Sequence, residues 1–160
     1  MAASNLKKCS VKTGRAADKS SLCSTDMIFK RFGLIKKPRG KALKIFLKGA
    51  GGSGIAGTAF DAILIDKGPR VDLSDPADIR RNRKRIRFVE IKTTSRYGIG
   101  SDFNRYFFSV SQNQFDAGAK LGGRYLFFFI NLRTGKHLRL TKAQLDKRIK
   151  SKTTSYSIQI

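Results

Sequence analysis

The sequence predicts an α/β domain in which helices flank a central mixed β-sheet, preceded by a basic N-terminal arm. Three observations predict it. Residues 59–66 and 85–94 are short, largely apolar runs, rich in β-branched or aromatic residues and bounded by Gly, Pro and Asp, as strands are. Residues 124–131 contain Tyr125-Leu126-Phe127-Phe128-Phe129-Ile130, the most hydrophobic run of the chain, which predicts a strand buried on both faces. Between them, Ser111 reads as the N-cap of a helix over 112–121 that Gly122 ends, with Phe115, Ala119 and Ala117 facing inward.

Composition narrows the function classes. A chain of 160 residues with 40% hydrophobic content buries one core, so a single domain over 25–160 is expected. Its 34 Lys plus Arg against 11 Asp plus Glu leave a net charge of +23, which favours a polyanionic partner. Twelve Phe and four Tyr argue against a wholly disordered basic tail. No run of 18 apolar residues exists to span a membrane, and no amphipathic basic helix points to a membrane surface. The N-terminus has no apolar core of a secretory signal, and it is Lys-rich where organellar transit peptides are Arg-rich. An intracellular location, cytoplasm or nucleoid, is expected, with organellar or nuclear targeting left open. Cys9 and Cys23 read as free thiols, and the single histidine, His137, as a surface or packing residue.

In chain order, residues 1–24 read as a flexible basic arm. Ser24 or Thr25 then caps a helix whose Ile28, Phe29 and Phe32 share a face. Residues 42–48 read as a strand. The glycine-rich stretch 49–58 matches GxGxxG at Gly49, Gly51 and Gly54, but a strand follows it where a dinucleotide site needs a helix. It reads as a loop, either a connector or a bare backbone that approaches DNA. Residues 67–79 form a long excursion in which Asp72, Asp75 and Asp78 supply turns and caps. Arg80, Arg81, Arg83, Lys84 and Arg85 follow, placed for phosphate contact together with Arg96 after the next strand. Residues 105–110 read as a further central strand, 137–140 as another, 142–150 as a helix capped by Thr141, and 156–160 as a terminal strand.

Acids are scarce, so acids inside apolar strands need a reason. Asp61 opens one strand; Glu90 sits between Val89 and Ile91 on the other, with Lys92 two places on. Strand side chains alternate faces, so Glu90 and Lys92 point the same way, about 6–7 Å apart along the strand. Two carboxylates and an amine on one face could hold a divalent metal beside a phosphate. Asp61, then Glu90-Ile91-Lys92, then a helix and a buried strand, resembles the PD-(D/E)xK nuclease superfamily, over roughly residues 25–131. Phe60 stands where that motif carries proline, and the first helix holds only Asp26 as an acid.

The resemblance implies a restriction-endonuclease-like fold and a Mg²⁺-dependent DNA endonuclease of restriction, homing or junction-resolving type. It implies Mg²⁺, with Mn²⁺ substituting, held by Asp61, Glu90 and the main-chain carbonyl of Ile91, and Lys92 acting on the attacking water. It also implies a role for Gln112 or Gln114 near that water, and a homodimer or higher symmetric oligomer acting on DNA. The alternative is a non-catalytic basic nucleic-acid-binding module in which Glu90 and Lys92 form a structural ion pair.

Overall fold

The computed structural model describes residues 17–153, with side chains from Thr25 onward. The chain divides into two compact units after Leu34. In the first, helix α1 (Ala17–Phe32) ends in a left-handed Gly33 (φ 65°), and Leu34 N–H donates to the Phe29 carbonyl at 2.9 Å. That six-to-one bond closes the helix as a glycine C-terminus does. Ser24 and Thr25 are interior to α1 rather than its N-cap, because no Gly or Pro breaks the run from Ala17. The expected boundary at 24 and 25 therefore falls inside a helix, and residues 1–16 lie outside the described residues.

The second unit is a five-stranded mixed sheet in the order β1-β2-β3-β4-β5: β1 (Ile35–Lys36), β2 (Ala62–Ile65), β3 (Ile86–Thr94), β4 (Tyr125–Asn131) and β5 (His137–Leu140). Neighbours run antiparallel except β3 and β4, which are parallel. A parallel pair needs a crossover, here residues 95–124 with helix α4 (Gln112–Leu121). Helices α2 (Gly40–Gly49), α3 (Pro76–Asn82) and α5 (Lys142–Asp146) complete the unit. The strands at β2, β3, β4 and β5 and the helix at α4 stand where the sequence places them. Ser111 forms a full capping box with Gln114, and Thr141 one with Gln144. Asp75 caps α3, and Asp72 and Asp78 hold the turn before it.

Several expectations are overturned. Residues 42–48 are helical: Leu43, Phe46 and Leu47 fall at i, i+3 and i+4, with Phe46 buried and Lys41, Lys44 and Lys48 exposed. A strand would have set Phe46 on one face with Lys44 and Lys48. Residues 105–110 alternate as a strand does but pair with no other strand among the described residues. Phe103 and Arg105 adopt positive φ (54° and 61°), so the segment turns onto the face of the sheet, where Tyr106 and Phe108 lie on Phe129. On α4 Ala117, Gly118 and Leu121 are buried and Phe115 sets its ring 6.3 Å from that of Phe127, while Ala119, expected inward, is exposed. Helix α5 stops at Asp146, short of the expected 150. The expected terminal strand and both cysteine thiols lie outside the described side chains.

The core sits where Phe46, Phe60 and Phe88 meet, with Ile63, Ile79, Ile86, Tyr125 and Phe127 around them. The glycine-rich stretch belongs to this core. A Cβ on Gly49 would sit 2.8 Å from Ile79 Cγ2, and one on Gly57 2.7 Å from Leu43 Cδ2. These glycines let the backbone press against helix side chains on its way to Asp61.

Candidate active site

The first acid is placed by the ladder. β2 and β3 pair Ala62 with Val89, and Asp61 N–H donates to the Val89 carbonyl at 2.9 Å, so Asp61 stands beside Glu90 at the end of the pairing. β2 ends there, which leaves the next backbone groups of β3 without a strand partner on that side. Asp61 Oδ2 takes one of them, accepting from Ile91 N–H at 2.9 Å. In an antiparallel edge a residue's N–H and C=O point the same way, so the Ile91 carbonyl faces Asp61 as well.

Glu90 is only 3% exposed, in the middle of β3 and flanked by Asp61 on one side and Phe127 of β4 on the other. Its Oε1 accepts from Lys92 Nζ at 2.9 Å and from Gln114 Nε2 at 2.6 Å. Its Oε2 is buried and has no hydrogen-bond partner. Burial, and then the negative charge of Asp61, push the Glu90 carboxyl up to about 7, although Lys92 pulls the other way.

Gln114 links the site to its supporting helix. Its Oε1 accepts from Ser111 N–H at 2.9 Å and from Lys92 Nζ at 3.3 Å. Two donors on that atom fix the amide orientation and aim Nε2 at Glu90. The capping box that starts α4 thus holds a residue that hydrogen-bonds both Glu90 and Lys92.

The sequence-predicted residues divide accordingly. Asp61, Glu90, Ile91, Lys92 and Gln114 come together. Gln112 does not: it is exposed and donates to Asp116 at 2.8 Å. The basic run lies at the other end of β3, with Arg85 about 17 Å from Glu90 at the usual rise of about 3.3 Å per strand residue. Arg80, Arg81, Arg83 and Lys84 are exposed there. Arg85 is a strut, its guanidinium bound to Asn82 Oδ1 at 2.7 Å and the Pro69 carbonyl at 2.9 Å. Arg96 is exposed two residues past β3, at the site's end of the strand.

Two supporting residues have no signal in the sequence. Lys37, in a basic turn, donates to the Gly57 carbonyl at 2.6 Å and to the Phe60 carbonyl, bracing the segment that delivers Asp61. Tyr125, within the apolar run of β4, donates its hydroxyl to the Ala59 carbonyl. Burial, then the charges of Glu90 and Asp61, raise its pKa, so it remains a proton donor.

Among the described residues no group of three or more His, Cys, Asp and Glu side chains gathers, so a cation here would rest on two carboxylates and main-chain oxygen. The donor set fits one: the oxygens are hard ligands, and Glu90 Oε2 is a buried acceptor to which no side chain or backbone group donates. No family model matches the chain, and no curated protein or solved structure matches it. The class of protein that fold and site define is an α/β domain with a carboxylate–lysine–glutamine cluster on a mixed sheet.

The Glu90 environment sets a pH dependence of stability in the metal-free protein. The folded carboxyl holds its proton up to about 7, whereas the unfolded chain releases it near 4.5. Its contribution is therefore fully present below 4.5 and lost as pH rises through about 7, a fall of about 3 kcal/mol. Urea unfolding at pH 5 and pH 8 in EDTA should register it, and Glu90→Gln, which carries no titrating group, should flatten it.

Proposed function

We propose that this chain is a Mg²⁺-dependent DNA endonuclease of the PD-(D/E)xK type, with a restriction-endonuclease-like fold. The observation that carries the reading is the meeting of Asp61, Glu90 and Lys92 at one point, with Glu90 Oε2 buried and unpartnered. Asp61, Glu90 and the Ile91 carbonyl would hold Mg²⁺, or Mn²⁺ in its place. The ion when bound supplies Lewis acidity toward a phosphodiester and a water of lowered pKa.

The remaining work falls to the chain's own residues. Lys92 presents its ammonium beside Glu90, where it orients the attacking water and stabilises the charge that grows on the phosphate oxygens. Gln114 fixes Lys92 and Glu90 relative to each other through one amide. The Ile91 N–H orients Asp61 by donating to one of its oxygens. Arg96 near the site, and the exposed Arg80, Arg81, Arg83 and Lys84 beyond it, would contact phosphates on either side of the cut. Cleavage of both strands would need two such sites, hence a homodimer or higher symmetric oligomer. The chain would work where DNA is, in the cytoplasm, nucleoid or an organelle. Among the described residues no helix is long and apolar enough to cross a membrane.

One observation favours the second reading, a non-catalytic DNA-binding module: the Lys92–Glu90 contact at 2.9 Å is that of a structural ion pair. Against it stands the second carboxylate: Asp61 is brought close enough to raise the Glu90 pKa, a repulsion that a purely structural ion pair has no need of. Nicking of plasmid and of branched DNA by the purified chain, in Mg²⁺ and in EDTA, tests the choice. Binding is a separate expectation shared by both readings. With a charge of +23, the affinity for duplex DNA should fall steeply with salt, at a log–log slope of about −0.9 per phosphate contact. Replacing Arg80, Arg81 and Arg83 by Ala should shrink that slope by up to about 3 without unfolding the chain. Titrations at several salt concentrations measure it.

A further inference from the structure

The loop that joins β3 to α4 displays two large aromatic rings to solvent, and nothing in the proposed chemistry uses them. Phe107 is 79% exposed and Tyr97 75% exposed. An isolated apolar side chain on a surface is ordinary. Phe107 differs because the loop around it is braced to hold it outward. Phe103 is buried against Tyr106 and Phe129 despite its positive φ of 54°, a costly backbone state for a bulky residue. Tyr106 donates its hydroxyl to the Thr93 carbonyl at 2.6 Å, and Phe108 packs its ring 4.8 Å from that of Phe129. With Tyr106 and Phe108 both turned to the sheet, Phe107 between them faces away.

The place of this ring is set by register. Phe129, on which Tyr106 and Phe108 rest, is the β4 partner of Lys92. Thr93, which anchors Tyr106, is the next residue. Phe107 therefore stands over the rim of the Asp61–Glu90–Lys92 cluster. Its surroundings are cationic: Arg105 lies two residues before it, Arg96 precedes Tyr97, and the Arg133 guanidinium sits 3.9 Å from the Tyr97 ring centroid. Arg133 also donates to the Ser95 carbonyl at 3.0 Å, so ring and cation are presented as a unit. Exposed aromatics interleaved with guanidinium groups form a surface for unpaired bases, whose faces stack on the rings while the cations meet the backbone. A continuous duplex keeps its base faces covered and gives such rings nothing to stack on.

We infer that Phe107, together with Tyr97 of the same loop and its Arg133 partner, is a stacking platform for unpaired bases beside the cut, so that the substrate is DNA with a single-stranded or branched element. As a statement about substrate, this rests on the nuclease reading of the site. Phe107 and Tyr97 bind bases at the rim and take no part in bond breaking.

The test uses the full chain in EDTA with two labelled DNAs of one sequence, a forked duplex carrying 2-aminopurine at the first unpaired position and its fully paired counterpart. The native chain should bind the fork more tightly and quench the 2-aminopurine. Phe107→Ala should weaken fork binding by about five-fold or more and lose the quenching, with duplex affinity unchanged. Phe107→Tyr, which keeps a ring, should restore both. Equal fork binding and quenching by the native chain and Phe107→Ala would overturn the inference. So would a Phe107→Ala chain that changes only its oligomeric state, for the ring would then be covered by a second copy. Metal-dependent cleavage by Lys92→Ala separates the two levels. If Lys92→Ala is inactive while Phe107→Ala binds forks normally, the stacking platform alone falls. If the native chain leaves DNA intact in Mg²⁺, the nuclease reading falls and takes the substrate claim with it.

Discussion

Lys92→Ala is expected to cleave DNA about 10²- to 10⁴-fold more slowly than the native chain while folding normally. The loss follows from position: the amine lies 2.9 Å from Glu90 Oε1 and 3.3 Å from Gln114 Oε1, facing the pair of carboxylates, and the side chain is 15% exposed. Survival of the fold follows from the proton. Without Lys92, burial and Asp61 both raise the Glu90 pKa unopposed, so Glu90 takes up a proton rather than remain a buried bare charge. Residual activity should therefore rise toward higher pH, where Glu90 is again ionised. Lys92→Arg keeps the charge but presents a planar fork in place of a compact ammonium, and should recover little. Initial rates on supercoiled plasmid across pH, with circular dichroism of each variant, measure this. In a non-catalytic module the same substitution would lower stability and DNA affinity together, with no cleavage to lose.

Phe88→Ala should destabilise the protein by about 3–5 kcal/mol, a large part of the roughly 5–15 kcal/mol typical of a folded domain. Phe88 is fully buried on β3, with its ring 5.6 Å from that of Phe46 on α2 and 5.0 Å from that of Phe60. The glycine-rich stretch also closes on it: a Cβ at Gly52 would lie 3.2 Å from Phe88 Cζ. Truncation leaves a cavity between a strand, a helix and the segment that delivers Asp61. Because Phe60 immediately precedes Asp61, cleavage should fall even under conditions where the variant stays folded. Urea unfolding gives the size of the effect. A loss below about 1 kcal/mol would mean that the three rings do not form the centre of the core.

What was legible in the sequence, and what was not, follows from how far each signal reaches along the chain. Ser111 and Gly122 mark α4 by local chemistry, since a cap and a terminator with positive φ act within one or two turns, whereas the reciprocal bond from Gln114 is a finding of the structure. The β4 run was legible because a strand covered on both sides is apolar nearly throughout, and the β3 run because its β-branched and aromatic residues cluster between turn signals. Asp61, Glu90 and Lys92 stood out as charges in such runs. Residues 42–48 misled because Leu43, Ile45 and Leu47 also alternate, and only the burial of Phe46 with Leu43 and Leu47 settles the helical period. Residues 105–110 alternate for a real reason, one face against Phe129, but alternation does not say whether a backbone partner exists. Arg85 looked like one more surface cation in a basic run. Its contacts reach back to Pro69 and Asp66, across a turn whose path only the fold defines. Lys37 and Tyr125 act through main-chain carbonyls at Gly57, Phe60 and Ala59, and a carbonyl has no signature in a sequence.

Glu90→Gln distinguishes a ligand-bearing carboxylate from half of an ion pair. The substitution keeps the shape, removes the charge and replaces a hard anionic oxygen by a neutral amide. Nicking of supercoiled plasmid in Mg²⁺ is measured beside binding of the same protein to labelled DNA in EDTA. The native chain should nick, whereas Glu90→Gln should bind DNA at least as tightly, because a negative charge facing phosphate has gone, and leave it intact, because the cation has lost an anionic ligand. Full Mg²⁺-dependent cleavage by purified Glu90→Gln would show that Glu90 holds no catalytic cation.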